Sequence, residues 1–297
     1  MAQTEQLVQL LIYGIQLGVI YALIALGYTM VYGIINLINF AHGDFVMIGA
    51  FTAFFAVNLA GVGFFPAILA AMLFPAVLSI IIERLAYRPL RDKPRLSALI
   101  TAIGVSIFLE NFPRMVPFIG PNFKRFPELI TMRHFYVLGQ ASINSIQISN
   151  IVASGVLLAL LIFLVQYTKM GRAMRAVAYN KDAAALMGIN VNRVISLTFF
   201  IGAALAGAGG VLYSLTYPMI DVLMGGWLGT KAFIAAVFGG IGSIPGAVLG
   251  GLLMGIIEVF ATAVYSELGY GSGFIVLIFV LLFRPSGLLG KAPLDKV

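Results

Sequence analysis

The stretch NFAHGDF, residues 39–45, sets an amide, an imidazole and a carboxylate between two highly apolar runs, 13–32 and 46–59. Three arrangements account for Asn39, His42 and Asp44 there. The first is a short turn between two helices, with Asn36 and Asn39 capping the helix ends. The second is a broken helix facing a wet cavity. In that case the ionisable residues are tolerated because they meet water, and the helix termini can meet the charged ends of a zwitterionic solute. The third is a metal site, for which one histidine and one carboxylate are too few ligands.

No catalytic constellation appears elsewhere. His42 and His134 form no HExxH pair, there is no Gly-x-Ser-x-Gly turn, and Asp44, Glu110, Asp221 and Glu258 are scattered. The run GGIGSIPG at 239–246 has the glycines of a phosphate cradle but lacks the lysine, and it sits in an apolar segment. If ATP powers this protein, another chain must hydrolyse it. The absence of cysteine excludes disulfides and thiolate chemistry.

The elements that must carry these residues follow from composition. Apolar residues make up 61% and charged residues only 10%, against roughly 25% charged in a soluble domain. Mean hydropathy is +1.04. This is an all-α polytopic membrane protein. At about 20 residues per crossing, the spans fall at 9–33, 45–60, 64–82, 96–118, 147–168, 194–217 and 268–284. With broken or re-entrant segments near 36–44 and 239–247, that makes 7–9 transmembrane helices in one transmembrane domain, 1–297. The run 232–266 is too short for two full crossings and reads as a broken hairpin around Gly239–Pro245.

The net charge of +7 is clustered, with five cations in 84–95 and five in 169–193. Basic loops mark the cytoplasmic side, whereas a nucleic-acid face would not explain this clustering. The N-terminus is then outside, 119–146 is an extracytoplasmic loop, and the tail with Arg284, Lys291 and Lys296 is inside. The N-terminus lacks the cationic region of a cleaved signal peptide. Small residues recur four apart at Gly202, Ala206, Gly210, at Gly242, Gly246, Gly250 and at Gly251, Gly255. They suit tight helix packing or a sliding gate. Residues 28–60 and 213–260 share a loose rhythm that stops short of a repeat. Lys231 is expected at the outer interface by snorkelling, and Glu110 in a solvated position at the outer end of its span.

The cytoplasmic stretch GRAMRAVAYNKDAAALMGIN, 171–190, is expected to form one amphipathic helix of about four turns. Arg172, Arg175, Tyr179 and Asp182 share a face, and Gly188 ends the helix. Such a helix either lies on anionic headgroups or docks a soluble partner.

DAAALMGI matches the acidic-Ala-Ala-x3-Gly pattern of the coupling loop of ABC-transporter permeases, with Asp182 in place of the commoner glutamate. Joined to MVYGIINLINFAHGDFVMIGAF (30–51), PRLSALITAIGVS (94–106) and KAFIAAVFGGIGSIPGAVLGG (231–251), it makes nearly the whole chain resemble the LivH-type permeases of branched-chain amino acid importers. The resemblance implies a bacterial inner-membrane subunit that binds no cofactor itself. Its implied partners are a second, LivM-like permease, two ATPase subunits holding ATP and Mg, and an extracytoplasmic substrate-binding protein. It implies a coupling core of Asp182, Ala183, Ala184 and Gly188, flanked by Arg172 and Arg175. The expected translocation path is Asn36, Asn39, Phe40, His42 and Asp44 with Gly239, Gly240, Gly242 and Ser243. Permeases for urea or short amides share the NFAHGDF-like and GGIGS-like motifs and stand as the alternative. An ion-coupled carrier using Asp44 or Glu258 would work alone, without a docking helix. An intramembrane enzyme lacks a catalytic pair.

Overall fold

The computed structural model describes residues 2–35, 37–91 and 93–290. Asn36 of the expected path and Lys291 and Lys296 of the basic tail lie outside them. Eleven α-helices carry the described chain: α1 (Ala2–Ile35), α2 (Asp44–Ala60), α3 (Phe64–Ile82), α4 (Arg95–Met115), α5 (Ser145–Tyr167), α6 (Lys169–Tyr179), α7 (Lys181–Leu186), α8 (Val191–Thr216), α9 (Met224–Gly239), α10 (Ile244–Val264) and α11 (Ser266–Phe283). Eight helical stretches are long and apolar enough to cross a membrane, within the seven to nine expected.

Helices α1 and α8 are the most enclosed, while α4, α5 and α11 lie at the periphery with few of their side chains buried. The small residues explain how the centre closes. A Cβ on Gly251 or Gly255 of α10 would overlap the backbone of α1 at Ala22 and Gly18, and one on Gly210 of α8 would overlap the Val46 carbonyl of α2. These glycines let helix backbones touch, which is how helices associate where lipid removes the hydrophobic drive between them.

The run 232–266 departs from the expected layout. Helix α9 begins earlier, at Met224, and is 16 residues long. Helix α10 is a full span of 21 residues starting at Ile244. The break between them is where it was expected. Gly240 and Gly242 have φ of 110° and 92°, open only to glycine at low cost, and the Ser243 hydroxyl accepts from Gly246 N at 3.2 Å to cap α10. The run 232–266 is too short for two full crossings, and the hairpin gains length from 224–231, which lies ahead of that run.

The expected cytoplasmic helix is two helices. Asn180, extended at φ −155°, ends α6, and its side chain accepts from Asp182 N and Ala183 N to start α7. Asp182 is therefore not on a helical face with Arg172 and Arg175. A few residues form strands. β1 (Lys124–Arg125) pairs with β4 (Met219–Ile220), and β2 (His134–Leu138) forms a hairpin with β3 (Ala141–Asn144). Helix α1 reaches this hairpin, where Gln9 accepts from Ser142 N at 2.8 Å and Glu5 from Gln140 N at 3.2 Å.

Candidate functional site

Residues 39–44 lie deep between helices. His42 Nε2 donates to the Ile24 carbonyl of α1 at 3.2 Å. From Ile24 to the end of α1 at Ile35 the helix rises ~16 Å, so the chain turns back past the end of α1 and re-enters to that depth. There Phe40–His42 form one 3₁₀ turn and α2 begins. A broken helix at membrane depth is tolerated where protein buries it or water reaches it, and burial applies to most of this turn: Asn39, Ala41, His42 and Asp44 are buried and Phe40 is exposed.

Each side chain has a definable place. Asn39 does not cap the turn. Its Oδ1 accepts from the Tyr87 hydroxyl at 2.7 Å, and the Tyr87 ring stacks on Phe199 with centroids 5.5 Å apart. The capping role that the turn alternative gives Asn39 is not found, because its amide oxygen serves the buried Tyr87 phenol instead. His42 sits edge-on to Tyr28 at 4.5 Å, and Tyr28 and Phe40 both face Phe233 of α9. Gly43 meets Gly225 and Gly229, where a Cβ on Gly229 would lie 2.6 Å from Gly43 Cα. Beside this crossing is a cavity of about 400 Å³ lined by Tyr28, Phe40, Gly43, Ser106, Thr230 and Phe233, among others. Gly27, Tyr28, Ser106, Gly225 and Gly229 belong to this site and were not singled out from sequence. The glycines at 225 and 229 carried the only local signal.

The second glycine break lies elsewhere. Gly242 approaches Gly33 near the end of α1, while Leu288 N and Leu289 N donate to the Phe238 and Gly239 carbonyls at 2.9 and 2.8 Å. Gly287 and Gly290 press on Gly240. The turn holding Gly239, Gly240, Gly242 and Ser243 is therefore packed beneath the segment after α11, and 39–44 is held by other neighbours.

Helices α6 and α7 form the third feature. Met174, Val177 and Ala184 are buried, whereas Tyr179, Leu186 and Met187 are 92%, 89% and 83% exposed. Asp182, Ala183 and Gly188 are exposed beside them. Gly188, at φ 82°, ends α7 with the Ile189 N to Ala184 O bond of a helix-terminating turn. Arg172 is exposed, but Arg175 folds back to donate to the Val165 carbonyl at the end of α5. A cavity of about 100 Å³ lies where Met174, Arg175 and Ala178 approach Thr29, Gly33 and Gly242.

Two partly buried ion pairs were not foreseen. Arg91 pairs with Glu83, which is 0% exposed and also accepts from the Ser196 hydroxyl at 2.6 Å. Lys231 pairs with Glu258, which accepts from the Tyr21 hydroxyl at 2.9 Å. Lys231 thus turns inward to a carboxylate across the α9–α10 hairpin and does not snorkel. No cluster of three His, Cys, Asp or Glu able to hold a metal occurs among the described residues.

Residues 10–283 match the sequence profile of the family described as branched-chain amino acid transport system / permease component. The chain is 43% identical, over the full length of both proteins, to the high-affinity branched-chain amino acid transport system permease protein BraD of Pseudomonas aeruginosa. It is 45% identical, over 96% of each, to the corresponding protein LivH of Escherichia coli K12. A probable LivH of Methanocaldococcus jannaschii is 27% identical over 90% of this chain and 88% of its own.

Proposed function

This chain belongs to the family of permease components of branched-chain amino acid transport systems, and on that premise we propose that it is a membrane subunit of an ATP-driven importer of branched-chain amino acids. It is a multi-pass membrane permease. ATP and Mg belong to two ATPase subunits docked on α6–α7, a second permease completes the path, and an extracytoplasmic binding protein delivers substrate. The assembly resides in the bacterial inner membrane, with the α6–α7 end cytoplasmic and the β2–β3 hairpin outside.

The observation that carries this reading is the pair α6–α7. Tyr179, Leu186 and Met187 are large, apolar and almost wholly exposed, on a foot anchored by Met174, Val177 and Ala184. Exposed apolar clusters rimmed by polar residues mark protein contacts. Asp182, Ala183 and Gly188 flank the cluster as docking residues. Ala184 and Arg175 hold the foot to the membrane domain, Ala184 by burial and Arg175 by capping α5. A push on this foot reaches α1 and the Gly242 turn through Met174, across the small cavity they share. The path follows Phe40, His42 and Asp44 at the start of α2, and the 239–243 turn is its inner support.

The test is co-purification from the native operon in mild detergent at moderate salt. Two ATPase subunits and a second permease should remain bound, and proteoliposomes of that complex should take up leucine only with ATP and the binding protein. A chain that purifies alone and still moves solute would overturn the reading in favour of a carrier.

A further inference from the structure

Asp44 is 1% exposed within the apolar span Phe40–Ala60, and neither of its carboxylate oxygens reaches full hydrogen-bond geometry, although the Ser106 hydroxyl lies beside it. A carboxylate in that state costs several kcal/mol relative to water. Its local position does not explain it. Asp44 is the first residue of α2, just after the N-cap Gly43, and neither of its oxygens caps a free N–H of that helix end. The backbone there is held in place by glycines, since Asp44 Cα would be 3.0 Å from a Cβ on Gly225. The other buried carboxylates are partnered: Glu83 by Arg91 and Ser196, Glu258 by Lys231 and Tyr21. The groups facing Asp44 from α4 are the Ser106 hydroxyl and the Glu110 carboxylate, neither of them a cation. Asp44 is not itself part of the lining of the cavity of about 400 Å³ but adjoins it through Gly43 and Ser106, which are; the remaining wall is mainly aliphatic and aromatic, with Ile103, Ile107, Phe233 and Leu277.

We propose that Asp44, with Ser106 beside it, is the subsite that receives the ammonium group of the transported amino acid, while the apolar wall receives its branched side chain. This rests on the importer reading and adds to it a specificity-determining residue within the permease. An uncompensated carboxylate, a hydroxyl and an apolar chamber match the two ends of a branched aliphatic amine. A divalent metal is a poor occupant, because no third acidic or imidazole ligand joins this pair. Glu110, on the same helix as Ser106 and close to Gly226, adds a second acidic group near Asp44, which favours a cation and opposes a free carboxylate.

The test uses the assembled complex in nanodiscs without binding protein, and two radiolabelled halves of leucine. 3-Methylbutylamine keeps the ammonium and the branched chain, and 4-methylpentanoate keeps the carboxylate and the branched chain. The wild-type complex should bind the amine saturably and competitively with leucine, and not bind the acid. Asp44→Asn should bind the amine about tenfold more weakly or worse, as loss of one charged contact predicts, while retaining its ATPase subunits. Ser106→Ala should weaken it less. If Asp44→Asn fails to assemble, the amine-against-acid comparison in wild type and in Ser106→Ala decides alone. Amine binding unchanged by the variants, or a wild-type complex that prefers the acid or binds neither, overturns the assignment. Retained ATPases and ATP-driven leucine uptake by the wild type report separately on the importer reading, so the two can fail independently.

Discussion

Gly27 has no side chain, and the His42 ring fills the space that a methyl group there would need. The ring is fixed by one hydrogen bond to Ile24 and by its edge against Tyr28, so it has nowhere to retreat without giving up both. Gly27→Ala should therefore destabilise the protein by about 1–3 kcal/mol, the ordinary cost of overpacking. A lowered unfolding midpoint in detergent reads this out. His42→Ala removes the nearer obstacle and leaves only the Gly202 carbonyl, 2.9 Å from the new methyl group, so the double variant should lose clearly less than the sum of the two losses. Additive losses would show that the two residues do not meet. Asn39 teaches the converse lesson. Its amide is buried to hold Tyr87, a partner that no spacing rule near residue 39 reveals.

The elements divide into those readable from the chain and those decided by a few atoms. Spans such as α3, α5 and α8 are plain in sequence because a membrane demands long apolar runs. The breaks at 37–43 and 240–243 show as Asn, His and Gly in apolar surroundings. The start of α9 does not stand out because MGGWLG interrupts the apolar run with glycines, of which Gly225 and Gly229 are there to touch Gly43. The α6–α7 break was missed because alanine-rich propensity runs through it, while one Asn180 side chain satisfies two free N–H groups and restarts the helix. That break turns Leu186 and Met187 outward, away from the foot that Met174 anchors. Leu186→Ser with Met187→Ser removes exposed surface only, so folding should be unaffected within about 0.5 kcal/mol. ATPase subunits should be lost from the purified complex, and with them ATP-driven uptake. Full retention of the ATPases would move docking off α7.

At the scale of the whole molecule, orientation and cohesion are the open quantities. The chain has no cysteine, so single cysteines report sidedness cleanly. Tyr136→Cys in the β2–β3 hairpin should react with a membrane-impermeant maleimide in spheroplasts, and Leu186→Cys only after lysis. The reverse pattern would invert the topology. Cohesion rests in part on Lys231 and Glu258, which join α9 to α10 while Tyr21 ties the same carboxylate to α1. The partners lie far apart along the chain and meet only because the Gly240–Ser243 turn folds α10 back, so neither residue announces the other. A pair enclosed at this depth is costly to break from one side. Lys231→Met leaves the Glu258 carboxylate with Tyr21 alone and should cost about 3–5 kcal/mol. Replacing both, as Lys231→Met with Glu258→Leu, removes the stranded charge and should recover most of that loss. The same double variant separates two mechanisms. In an ATP-driven importer the pair is a structural tie, so the double variant should retain ATP-dependent leucine uptake once its stability returns. In an ion-coupled carrier with Glu258 as its proton site, uptake would vanish however well the double variant folds.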